Sequence, residues 1–146
     1  MPFPWEKYTI NLPVVYETEK IVFYVSEEQS LLISIAKDFS PDDEYRMNMQ
    51  SCLDNCQKFV IKNIIFESTK FRGTSPENQK WVTDYFTPKL VELGILNVAL
   101  VYPSDIFGKY TLVTMARGSG DRGLSINFFD DIDKAHQWIM AQQNEL

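Results

Sequence analysis

The stretch "ILNVALVYP", residues 95–103, is apolar on both of the faces that a β-strand would present. A strand with one solvated face alternates apolar and polar residues, so this run has the pattern of a central strand covered on both sides. What covers it is readable from the neighbouring segments.

Upstream, "KIVFYVS" and "LLISIAK" are β-branched and apolar runs joined by the polar "EEQS", which predicts an antiparallel hairpin. "DFSPDDEYRMNMQSCLDNCQKF" predicts a helix, with Ser40 as N-cap, Pro41 at the first helical position and Asp42, Asp43 and Glu44 in the positive first turn. Its apolar positions Tyr45, Met49, Cys52 and Cys56 recur at helical spacing. "VIKNIIFE" is a short strand ending at Glu67.

After the loop "STKFRGT", the segment "SPENQKWVTDYFTPKLVELG" repeats the Ser-Pro-acidic start, with Ser75 as N-cap. Val82, Phe86, Leu90 and Leu93 make one stripe, Pro88 predicts a kink or break near Thr87, and Gly94 is the stop. "SDIFGKYTLVTMAR" predicts a third helix despite Gly108 and the β-branched Thr111, Val113 and Thr114. "LSINFF" alternates and reads as an edge strand; "DDIDKAHQWIMAQQ" is an aspartate-capped final helix with Ile132, Ala135 and Ile139 on one face.

The order ββαβαβαβα defines one α/β domain over residues 1–146, with 1–19 as an N-terminal extension. The strands starting near Ile61 and Ile95 are expected to be adjacent and parallel, crossed over by the helix from Pro76.

The net charge of −6 excludes a basic nucleic-acid surface and adhesion to anionic lipid through charge alone. No stretch reaches the ~18 unbroken apolar residues of a membrane span, and the start shows no secretory signal pattern. Cys52 and Cys56 lie four apart in a helix, where disulfide geometry is poor, so reduced thiols and a cytoplasmic location are expected. With His136 they leave a tetrahedral metal site without a fourth ligand, so no metal is expected.

"GSGDRG", residues 118–123, has the glycine spacing of a dinucleotide fingerprint, but a helix precedes it and a strand follows. Pyrophosphate binding needs the reverse order, so a connector is the better reading and no cofactor is expected. His136 sits four residues after Ile132, near the apolar face of the last helix, and reads as a packed or rim imidazole. The carboxylates cluster at helix starts, where the backbone dipole accounts for them. A pocket is expected at the C-terminal ends of the central strands, involving Glu67, Trp81, Tyr85 and Tyr102, because open α/β sheets bind ligands there.

The opening hairpin, "DFSPDDEYR", "IIFESTKF…SPENQKWVTDYFTPKLVELGILNVALVYPSDIFGKY" and the closing "FFDDIDKAHQWI" together resemble the SpoIIAA-like branch of the STAS proteins, over roughly residues 20–142. The resemblance implies a small mixed sheet with helices mainly on one side and a non-enzymatic role. In switch-type relatives a Ser or Thr at the start of the helix after the third strand is phosphorylated, which points to Ser75 or Thr74 here. Those relatives carry a compact turn, whereas this chain has the longer "ESTKFRGTSPEN". Other relatives resemble lipid carriers. The expected function is therefore a regulatory or ligand-binding module, in signalling or otherwise, acting through a protein partner or small ligand. The alternative is a carrier of a lipid or other small apolar ligand; a homodimer stays open.

Overall fold

The doubly apolar stretch is a strand with a parallel neighbour on each side, in a computed structural model that describes residues 3–119 and 123–144. In chain order the elements are α1 (Glu6–Thr9), β1 (Val14–Glu17), β2 (Ile21–Ser26), β3 (Leu31–Ala36), α2 (Asp42–Lys58) and β4 (Asn63–Glu67). Then follow α3 (Pro76–Trp81), a π-helical stretch (Val82–Phe86), α4 (Thr87–Glu92), β5 (Asn97–Val101), α5 (Ile106–Ser119), β6 (Ser125–Phe129) and α6 (Ile132–Asn144). The fold is α/β, built on one mixed sheet of order β1-β2-β3-β4-β5-β6.

The β2–β3 hairpin is antiparallel as expected, and β3, β4, β5 and β6 run parallel. Each parallel step moves one place in the same direction. Crossovers of one hand therefore lay α2, the α3–α4 unit and α5 on the same side of the sheet. That side buries Phe23, Leu32, Ile64, Val98 and Leu100 against Cys52 and Cys56 of α2, Phe86, and Leu112 and Met115 of α5. On the other side Val22, Ile33, Ile35, Ile65, Ala99 and Val101 pack against Ile132, Ala135 and Ile139 of α6.

The N-terminal extension is partly a correction. Residues 14–17 form β1 on the edge of the sheet, and Trp5, Tyr8 and Leu12 pack on the α6 side. "PVVYET" is too short and too flanked by Pro to announce a strand; the free edge of β2 supplies the pairing.

Pro88 is absorbed without a break. The π-helical stretch runs directly into α4: the Thr87 N–H reaches back five residues to the Val82 carbonyl, and this shifted register takes in Pro88, which has no N–H to donate. Gly94 closes α4 with φ 89°, and the Gly94 and Ile95 N–H groups donate back to Val91 and Leu90 at 3.0 Å each. Ser40 does not cap α2: Pro41 occupies the cap position and Asp42 is the first helical residue. Of "GSGDRG", Gly118 and Ser119 end α5 and Gly123 precedes β6; residues 120–122 lie outside the described residues. No described helix is long and apolar enough to cross a membrane.

Candidate functional site

On the α2–α5 side of the sheet the packing is incomplete. In register, Ser34 of β3 stands between Phe23 of β2 and Phe66 of β4. Two large rings flanking one small side chain leave a gap that the helices above do not fill. A cavity of about 110 Å³ results, walled by Ser34, Asn48, Phe66, Leu100, Leu112 and Met115 among others.

The wall is mostly apolar, and its polar groups fall in two sets. At one end Ser119 donates to the Met115 carbonyl at 2.8 Å, so its 2.8 Å partner Thr87 donates to Ser119; both hydroxyls are satisfied. Ser34 differs. It is 3% exposed, and its hydroxyl makes no hydrogen bond to another described residue. Among the described residues every fully sealed polar side-chain atom has a partner, so the Ser34 oxygen opens on the cavity rather than into packed protein. Asn48, on the cavity face of α2, accepts from the Tyr16 hydroxyl at 2.8 Å through Oδ1, which leaves its amide hydrogens directed elsewhere.

Burial pushes the Tyr45 hydroxyl, in the same wall, well above its ordinary pKa, with Cys52 adding to the shift. The Cys52 thiol is pushed up by its hydrogen bond with Cys56 and then by burial. Both groups are neutral at physiological pH, and neither is an activated nucleophile.

A second cavity, of about 450 Å³, opens on the α6 side at the C-terminal ends of β3, β4 and β5. Its floor includes Ile35, Glu67 and Val101; Asp131 and Ile132 at the start of α6 form one wall, and Phe3 and Trp5, stacked at 5.3 Å, lie over it. Ala36 and Glu67 border both cavities. Glu67 is buried, and its Oε1 accepts from both the backbone N–H and the hydroxyl of Thr69.

Of the residues expected at the pocket, Glu67 borders both cavities. Tyr102 directly follows β5, but it and the other two aromatics turn elsewhere. Trp81 stacks on Tyr85 at 5.4 Å with the Arg46 guanidinium 5.3 Å from its ring, and Tyr102 stacks on Phe128 at 5.2 Å beneath the Lys109 ammonium. None borders either cavity. Val82 and Phe86 take the sheet-facing stripe, which turns the i, i+4 pair Trp81 and Tyr85 to the flank; the edge ring of Phe128 captures Tyr102.

Ser75 caps α3 as expected, accepting from the Asn78 N–H at 3.1 Å. Thr74 donates to Asp42 Oδ1 at 3.1 Å and accepts from the Asn78 amide at 2.8 Å, and the Ser75 N–H donates to the same Asp42 oxygen. A phosphate on either hydroxyl would face the Asp42 carboxyl and repel it.

No protein-family model matches the chain, and no curated protein does. The STAS resemblance thus rests on the order and patterning of the elements.

His136 lies away from both cavities, half-buried and stacked on Tyr8 at 4.2 Å; burial lowers its pKa, opposed by Asp133. Asp133 is held low by Lys7 at 2.8 Å and by Tyr8, whose own hydroxyl burial and Asp133 push up to about 12. Among the described residues, no cluster of three His, Cys, Asp or Glu side chains could hold a metal ion.

Ser34 and Asn48 are the residues that sequence reasoning passed over. A signal existed for each: Ser34 is the one hydroxyl within "LLISIA", and Asn48 shares the helical face of Tyr45 and Cys52.

Proposed function

We propose that this domain is a non-enzymatic, STAS-like binding module that takes a small amphiphilic ligand between its sheet and helices. The observation that carries the reading is the Ser34 hydroxyl, 3% exposed and unpaired on the wall of the 110 Å³ cavity. The hydroxyl opens on the cavity and has no partner among the described residues, so it is free to bond a ligand, which alanine or valine at this position could not do. A ligand with a hydrogen-bonding group beside an apolar portion matches this wall, and the Asn48 amide offers donors from the facing helix.

The volume suits a group on the scale of a benzene ring, since a cavity of roughly 150 Å³ accommodates one. A larger ligand extends past Ala36 and Glu67 toward the outer cavity, where the buried Glu67 carboxyl is an acceptor for a donor head. Absence of catalysis is supported by the chemistry of the wall. It pairs no hydroxyl or thiol with a histidine, and the only imidazole in the chain stacks on Tyr8 instead. The rival reading, a carrier of a long apolar chain, draws on the apolar lining, but such a chain requires the helices to part.

Native mass spectrometry of freshly purified protein, alongside Ser34→Val, tests the proposal. The wild type is expected to carry a non-covalent mass in the range of a small metabolite, and Ser34→Val to lose it while remaining folded. A wild-type protein free of extra mass in every expression host, or a Ser34→Val variant that retains the mass, would overturn it. A mass equal to a diacyl lipid selects the carrier reading.

A further inference from the structure

The outer cavity holds a group that the packing leaves half used. Along β4, Ile65 faces α6, and residues two apart on a strand share a face. The Glu67 side chain therefore stands on the α6 side, in the outer cavity, where it is 8% exposed. Its Oε1 is held by the backbone N–H and the hydroxyl of Thr69. Oε2 takes no hydrogen bond from a described residue, and among those residues every fully sealed polar side-chain atom has a partner. Oε2 thus opens on the cavity as an unpaired acceptor, fixed in place by the two bonds to Oε1.

The other titratable groups on the wall decide the charge of a fitting partner. Lys37 follows β3, Lys70 lies in the loop after β4, and Asp130 and Asp131 follow β6. Lys37 is already paired with Glu17 at 2.8 Å. Asp130 lies 3.9 Å from Lys134, and Asp131 Oδ1 accepts from the Lys134 N–H at 2.8 Å. What remains is the ammonium of the exposed Lys70 at the rim, set against Glu67 Oε2 on the floor and the second oxygen of Asp131. An anion entering this space meets the buried carboxyl, whereas a cation pairs with it. Phe3 and Trp5, stacked at 5.3 Å, border the same space, and an aromatic face attracts a cation.

We infer that the outer cavity is a binding site for a small organic cation, an amine or guanidinium carried on an aromatic or apolar body. Its N–H groups donate to Glu67 Oε2, and its body lies against Trp5 and Phe3. The volume of about 450 Å³ is that of a small-molecule pocket. The place, outside the carboxyl ends of parallel strands, is where open α/β sheets take ligands. Charge-assisted N–H bonds to a carboxyl are roughly twice as strong as neutral ones, so the charge of the ligand is the main determinant of affinity here. The site rests on its own lining and not on what the inner cavity beside Ser34 holds.

The test is isothermal titration calorimetry of the full chain with tryptamine, tryptophol and indoleacetate, which share a body and differ in the charge of the tail. Their two-ring body exceeds the inner cavity, which is on the scale of one ring. Tryptamine is expected to bind with a Kd below about 1 mM, and the alcohol and the acid at least about tenfold more weakly. Glu67→Gln keeps an oxygen for Thr69 and removes the charge, so it remains folded, as circular dichroism will verify, and should weaken tryptamine at least about tenfold. Trp5→Leu leaves the carboxyl in place and should weaken it about fivefold. Ser34→Val should leave it unchanged. No tryptamine binding at that level, equal or tighter binding of tryptophol or indoleacetate, or an affinity that survives Glu67→Gln or Trp5→Leu would each overturn the proposal. So would a loss in Ser34→Val, which would place the amine in the inner cavity.

Discussion

The two faces of the sheet solve the same packing problem differently. On the α6 face the middle of the sheet is branched aliphatics and alanine, and Ile33, Ile65, Ala99, Ala135 and Ile139 are all 0% exposed. One helix lies across these strands, and Ala99 and Ala135 let it approach closely. On the α2–α5 face three crossover units must share one surface, and a serine sits where the register calls for bulk. The first face is a dry, close-packed core along the middle of the strands, and the outer cavity opens only at their C-terminal ends. The second keeps a cavity bordered by a hydroxyl that has no partner among the described residues.

That contrast can be broken most directly by mutation. Ile65→Ala, on the dry face, should lower the unfolding free energy by roughly 2–5 kcal/mol in urea titrations, because nothing nearby can collapse into the space. A loss below about 1 kcal/mol would mean that this face is not close-packed. On the opposite face Ser34→Val should move stability the other way, raising it by about 1 kcal/mol in ligand-free protein, since it removes an unpaired hydroxyl and adds a methyl group to a cavity. Destabilisation by Ser34→Val would show the hydroxyl to be satisfied and the gap too small.

Ser75→Ala serves as the control on the cavity side. It removes the cap of α3 without touching either core and should cost about 1 kcal/mol in the same titrations, with any ligand mass unchanged. The smallest expected effect is a pH dependence belonging to the α6 face alone. His136 has its folded pKa lowered from 6.5 by burial, against the pull of Asp133. The unfolded chain therefore takes up the proton first. The His136 contribution is fully present above pH 6.5 and is lost as pH falls through the lowered folded value. Melting curves between about pH 5 and 7 should show this decline, and His136→Gln should flatten it; an unchanged slope would assign the dependence to other groups.

How much of this could be read beforehand follows from the range of each interaction. The β2–β3 hairpin, the parallel strands and their crossover, the Ser75 cap and the Gly94 stop depend on residues close in sequence or on period, and each was readable. The displaced cap of α2, at Pro41 rather than Ser40, shows the usual uncertainty of one residue at a helix end. The pocket aromatics were misplaced because Trp81, Tyr85 and Tyr102 lie beside the right elements in sequence but on their flanks in space. β1 was missed because a short edge strand draws its stability from a partner rather than from its own pattern.

Hydrophobic period, turn residues and caps are local, and from them the sequence alone determined an α/β chain, the sequence position of each principal strand and helix, and the parallel pairing of β4 with β5. The cavity arises only in three dimensions. Register sets Ser34 between Phe23 and Phe66, and the α2 crossover carries Asn48 over the same sheet face. Each of these depends on residues that lie far apart along the chain or on which atoms remain uncovered after packing. Neither is encoded in local pattern, so the tertiary structure decided them.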